Sequence, residues 1–167
     1  MKPFADLDAI LTRSRDWKGQ ELVYRRMIKR LGPDLKLLAS LWHSLAEIYR
    51  TRLKDRDAAI AALEVARTLA PENVVSREEL AELYVKAGPD HLDKAIAEHQ
   101  CIIDFDTHRH TSYSALADLY GETGRHDAKW NLCQALSVLG KATGEQRRQV
   151  GAHVVEVLAA TEVVAPG

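Results

Sequence analysis

Long apolar runs are absent from this chain. No stretch approaches the roughly 18 residues that a membrane span needs, so no transmembrane segment is expected. Aromatic residues make up only 6% of the 167, while alanine and leucine are abundant. Strands draw on β-branched and aromatic side chains, so this balance favours helix packed on helix. Cysteine occurs twice, at Cys101 and Cys133, each inside an amphipathic stretch. Two such thiols do not make a disulfide framework, and a reducing cytoplasm is the expected compartment. The first residues, MKPFADLDAILTRSRDWK, lack a positive region followed by an apolar one, so no signal peptide is expected. Also missing are a Gly-rich phosphate loop, a nucleophile elbow and a paired-acid motif. No catalytic residue, cofactor or small-molecule substrate is therefore expected, and the chain is read as a non-enzyme.

What is present suffices for one soluble domain with a real core, at 46% hydrophobic and 28% charged residues. The most regular stretch runs from Leu41 to Asn73. Trp42, Leu45 and Tyr49 recur at i, i+3 and i+7, one face of a first helix. Ala46 and Ala59 are small where two antiparallel helices must approach, and Leu63 and Ala66 continue the second helix. Pro71 ends that helix, because its ring clashes with a further turn and it has no N–H to donate. Upstream, Phe4, Leu7 and Leu11 hold the places of Trp42, Leu45 and Tyr49. Trp17, Tyr24, Met27, Ile28 and Leu31 then form an apolar stripe closed by Gly32 and Pro33. Downstream come Leu80, Ala81 and Tyr84, followed by Gly88, Ala95, Ile96 and Ile102, with Arg77 replacing the aromatic and GPDHLD lengthening the turn. A further round follows in Tyr113, Leu116, Ala117 and Tyr120, then Gly124, Ala128, Leu132 and Ala135. Gly88 and Gly124 fall just past the first helices, where a positive φ suits glycine. After Gly144, the residues Val150, Val154, Val157 and Leu158 make one apolar stripe on a last helix.

The spacing Trp-x2-Leu-Ala-x2-Tyr, then Ala-x3-Leu, Ala and Pro, resembles the tetratricopeptide repeat (TPR), a helix-turn-helix of about 34 residues. The resemblance covers about residues 3–142 and implies an all-α, TPR-type α-solenoid of antiparallel helix pairs in a right-handed superhelix. A single domain over 1–167 is expected, with repeats at about 1–34, 35–73, 74–108 and 109–142 and a capping helix at about 143–161, nine helices in all. Asp8 and Gln20 depart from the small residues of the pattern in the first, terminal repeat. The resemblance further implies a concave groove lined by the first helices, where partners of TPR proteins commonly lie. Groove positions by register are Ser40, His43, Ser44, Glu47 and Arg50, then Glu78, Glu79 and Glu82, then Thr111, Ser114, Asp118 and Glu122. One TPR subclass grips the C-terminal carboxylate of chaperones with lysine, asparagine and arginine. The matching positions here hold His43, Glu47, Glu79, Thr111 and Ala115, so that activity is not implied.

Net charge is −1 but uneven. Residues 1–40 hold nine Lys/Arg against five Asp/Glu, and residues 72–124 hold four against eleven. Glu47, Glu78, Glu79, Glu82 and Asp118, with His43 and Ser114 among them, make the groove an expected site for a Lys/Arg-rich segment of another protein. The same charges also fit a solvated helix face. His99, Cys101, His108 and His110 could ligate zinc by residue type, but no C-x2-C or H-E-x-x-H spacing fixes their geometry, so no metal is expected. His108 and His110 are assigned to a turn between repeats, His99 to a second helix and Cys101 to a packed helix side; Cys133 is placed near a packed face, where a thiol is inert. Arg25, Arg26, Lys29 and Arg30 form a basic stripe that also fits a solvated convex face. As a weaker alternative it would make the chain an adaptor to nucleic acid or a membrane surface, though the acidic first helices lack the repeated polar code of helical-repeat RNA readers. The leading expectation is a non-catalytic interaction scaffold. The alternative is a self-assembling, homo-oligomeric TPR array.

Overall fold

The computed structural model describes residues 2–152, with side chains from residue 5 onward. Val154, Val157 and Leu158 of the expected cap therefore lie outside the described residues. Helices α1 (Lys2–Ser14), α2 (Trp17–Arg30), α3 (Leu35–Glu47), α4 (Arg56–Leu69), α5 (Val74–Ala87), α6 (Leu92–Phe105), α7 (His110–Glu122) and α8 (His126–Val138) follow in order. A ninth, α9, is described over 144–152, and no strand occurs among the described residues. Two compact units divide between His91 and Leu92, after a 3-10 turn at Pro89–His91 that occupies the lengthened loop.

In the first unit, the helix starts are specified locally. Asp16, Asp34, Asp55 and Asn73 precede α2, α3, α4 and α5. Each side-chain oxygen accepts the backbone N–H three residues on, at 2.9, 3.1, 3.0 and 3.2 Å respectively. Such caps satisfy donors that the helix itself leaves unpaired. The α3–α4 crossing is closed by Leu45, Ala46, Ala59, Ala62, Leu63 and Ala66, none more than 1% exposed. Small side chains let the backbones approach, and each fully buried leucine contributes roughly 1.5–3 kcal/mol. At the α1–α2 crossing, the unusual polar residues meet each other. Gln20 Nε2 donates to Asp8 Oδ1 at 2.7 Å and to Thr12 Oγ1 at 3.1 Å, and Gln20 is buried. Tyr49 Oη–H donates to Glu21 on α2 at 2.8 Å, and Tyr84 Oη–H donates to Glu64 on α4 at 2.6 Å. Arg77, in the aromatic's place, is buried and donates from Nε to the Pro71 carbonyl at 2.7 Å.

The turn between α3 and α4 breaks the helix-turn-helix rhythm. Ile48–Leu53 forms one π-helical turn, closed by Lys54 in the left-handed region at φ 57°. Tyr84 and Tyr120 are followed four residues later by Gly88 and Gly124, at φ 116° and 72°. Tyr49 instead reaches its left-handed residue after five, and the wider turn absorbs the extra residue. Thr51 Oγ1–H donates to the Glu47 carbonyl at 2.7 Å within this segment.

In the second unit, α7 packs against both α6 and α8. Its core holds Ala95, Ile96, Ile102, Leu116, Ala117, Leu119, Cys133 and Leu136. Arg125 pairs with Asp93 at 2.7 Å, and Gln100 Nε2 donates to Tyr120 Oη at 2.9 Å. Gln146, itself buried on α9, donates to Ser114 Oγ on α7 at 3.1 Å.

Candidate functional site

The first unit contains a cleft of about 380 Å³, lined from α1 by Thr12, from α2 by Trp17, Gln20 and Tyr24, and from α3 by His43, Ser44 and Glu47. Glu79 of α5 completes it on one side, while Arg50, Thr51 and Arg52 enter from the π-helical turn. Five of the expected groove residues, His43, Ser44, Glu47, Arg50 and Glu79, thus share one cleft. Its volume lies at the lower end of ligand-sized pockets.

Inside the cleft Glu47 is paired, whereas Glu79 Oε2 is buried without a hydrogen-bond partner among the described residues. Arg50 Nε and Nη2 both donate to Glu47 Oε2, the Nε contact at 3.0 Å. His43 Nδ1 lies 3.0 Å from Ser76 Oγ, and its Nε2 lies 3.9 Å from Glu79 Oε2. Glu82, exposed on α5, is 3.4 Å from Lys86 Nζ. Arg52 places its guanidinium 4.7 Å from the centre of the Trp17 ring, a cation–π arrangement. The hydrogen bond from Arg50 to Glu47 raises the Arg50 pKa above its usual range. Partial burial opposes that shift, while the charges of Glu47, Glu79 and Glu82 reinforce it. Burial is also the largest cause raising the Tyr24 hydroxyl, with the nearby Asp8 charge acting in the same direction.

The remaining groove residues are distributed elsewhere. Glu78 is half-buried on α5 and does not line the cleft. In the second unit, Asp118 is exposed on α7, and Ser114 is held by Gln146. Trp17, Arg52, Gln20 and Ser76 were not legible as site residues from sequence. The available signal was the five-residue interval from Tyr49 to Lys54, which brings an additional basic residue into the turn.

The histidine group separates along the chain. His99 and Cys101 sit on α6, Cys101 half-buried; His108 lies in the following turn, and His110, assigned to that turn from sequence, opens α7 instead. Among the described residues, no group of three or more His, Cys, Asp or Glu converges to hold a metal ion. Cys133 is buried, and burial pushes its thiol pKa up, so its reactive thiolate form is disfavoured. No described helix is long and apolar enough to cross a membrane.

Paired helices closed by small residues, with leucine and tyrosine packed inside, define an all-α tetratricopeptide-repeat fold. The chain is similar to a crystal structure of MamA at TM-score 0.66 and 17% identity, over 90% of this chain and 79% of that one. It is similar to a tetratricopeptide repeat protein from Parabacteroides merdae at TM-score 0.70 and 14% identity, over 89% and 56%. A third similar structure is YrrB, described as a TPR protein with an unusual peptide-binding site, at TM-score 0.59 and 12% identity, over 81% and 66%. Neither a protein-family model nor a curated protein matches this sequence.

Proposed function

We propose that this chain is a non-catalytic interaction scaffold that captures a Lys/Arg-rich peptide or helix of another protein molecule along α3 and α5. The supporting observation is that Glu47 and Glu79 share one cleft with Arg50, whose guanidinium Nε donates to Glu47 Oε2 at 3.0 Å. A site that stabilises its own guanidinium offers the same carboxylates to a partner's cation. Glu47, Glu79 and Glu82 are the principal acceptors, with Glu78 beside them on α5 and His43 modulating Glu79. Asp118 and Ser114 are proposed contacts on the second unit. Apolar contact would come from Val75, which is 53% exposed, and from Tyr113.

Each exposed ion pair is worth only about 0.2–1 kcal/mol, so the charges select the partner more than they hold it. The test is calorimetric titration of an octalysine peptide into the protein. Binding is expected to weaken at least about threefold in a Glu79→Lys/Glu82→Lys variant, with little change in melting temperature. It is also expected to fade as added salt shortens the Debye length from about 10 Å at 0.1 M to 3 Å at 1 M. Affinity indifferent to both the substitutions and the salt would refute the acidic-groove reading and leave the fold untouched.

A further inference from the structure

Two helices of the first unit carry the same side-chain spacing with opposite charge. On α2, Leu22, Arg25, Arg26 and Lys29 stand at i, i+3, i+4 and i+7, so they share one face. Leu22 is 48% exposed, and all three cations are exposed. On α5, Val75, Glu78, Glu79 and Glu82 stand at the same four spacings. Val75 is 53% exposed, Glu82 is exposed, and Glu78 and Glu79 are half-buried. Laid side by side in parallel, these faces would set aliphatic on aliphatic and each cation against a carboxylate.

The opposite side of α2 is committed to the core, since Gln20 and Tyr24 are buried, so only the basic face is on offer. Arg25 is tied to Glu21 at 3.2 Å and Glu82 to Lys86 at 3.4 Å, both i,i+4 pairs with exposed cations that exchange for intermolecular partners, Glu21 keeping its hydrogen bond from Tyr49. An exposed leucine amid the cations gains nothing from a phosphate backbone, whereas an aliphatic partner on a carboxylate-bearing helix would cover it. Such a helix is present in the chain itself.

We propose that the cationic segment docking on the α5 face is α2 of a second copy of this chain. The inference rests on the acidic-groove reading and identifies its occupant. Because the contact joins two different faces, it is heterologous unless a twofold axis makes it reciprocal. It therefore yields either a closed dimer or concentration-dependent growth.

The experiment is light scattering with analytical ultracentrifugation of the full chain from about 10 μM to 1 mM, the range suited to weak association. Expected is a mass that rises with concentration and falls with added salt. Arg26→Glu/Lys29→Glu and Glu79→Lys/Glu82→Lys should each run as a monomer, with melting temperatures near that of the parent. An equimolar mixture of the two variants should associate again, because reversing both partners restores opposite signs; loss of folding cannot mimic this rescue. A parent that stays monomeric throughout overturns self-docking, as does association unchanged in both variants. Octalysine binding to such a monomer would leave the acidic groove standing, whereas its absence would remove both readings.

Discussion

At the residue scale, the informative positions are those where a polar side chain replaces a small or apolar one. Asp8 and Gln20 looked like defects in the repeat pattern, yet they meet at the α1–α2 crossing at 2.7 Å. Removing one partner strands the other, at a cost of about 1–3 kcal/mol, whereas replacing both with apolar groups of similar shape can be near neutral. Gln20→Leu alone should therefore lower the urea midpoint, and Asp8→Leu/Gln20→Leu should recover only part of it, because the Tyr24 hydroxyl also hydrogen-bonds Asp8. Equal losses in the single and double variants would show that the pair does not act as a unit. Tyr49 gives a pH-dependent counterpart. Burial pushes its pKa up to about 12 from the ordinary 10, with the hydrogen bond to Glu21 next in importance. A raised folded-state pKa means that the native state keeps its proton longer than the unfolded chain does. Its stabilising effect is present below about pH 10 and is lost as pH rises from there to about 12. Urea unfolding at pH 9 and 11 should show a steeper decline for the parent than for Tyr49→Phe, which has no hydroxyl to titrate.

At the element scale, helix existence and helix ends were largely legible. The Asp and Asn residues before α2 to α5 sit one position ahead of the periodic stretches, which is where capping chemistry puts them. Gly88 and Gly124 took the positive φ expected of them. The π-helical turn was not foreseen, because helical periodicity does not register a single inserted residue. Lys54 holds its left-handed conformation without glycine's freedom, a cost of roughly 1–2 kcal/mol set against glycine's entropic penalty of about 0.5–1 kcal/mol. Lys54→Gly should accordingly raise stability by up to about 1 kcal/mol in urea titrations. A loss of stability would indicate that the lysine side chain contributes a contact of its own.

At the scale of the whole molecule, the end of the array is the vulnerable point. Gln146 and Ala142 are buried, and Gln146 holds α9 to α7 through Ser114, while Val138 and Leu139 are already exposed beside them. Deleting residues 143–167 should uncover the α7–α8 pair, lower the melting temperature and promote precipitation. Turbidity and calorimetry on the truncated chain would check this, and a soluble product melting with the parent would dismiss a capping role for the segment.

The sequence by itself determined the all-α class, the pairing of helices around Ala46, Ala59, Ala95 and Ala117, and the glycine-closed turns, because periodicity, size and φ preference act over a few residues. Tertiary structure decided which charges meet. Glu47 and Arg50 are near neighbours in sequence, but His43 finds Ser76 and Glu79, Tyr49 finds Glu21, and Arg52 settles on Trp17. Those meetings bring together residues some 28 to 36 positions apart, as Tyr49 to Glu21 and Glu79 to His43 do, and depend on how packed helices align. Counting carboxylates along the chain could foresee an acidic surface. The matching of Glu47 by Arg50 and of Glu82 by Lys86 lies within four residues along the chain, but the meeting of His43 with Ser76 and Glu79 depends on side chains reaching across helix pairs.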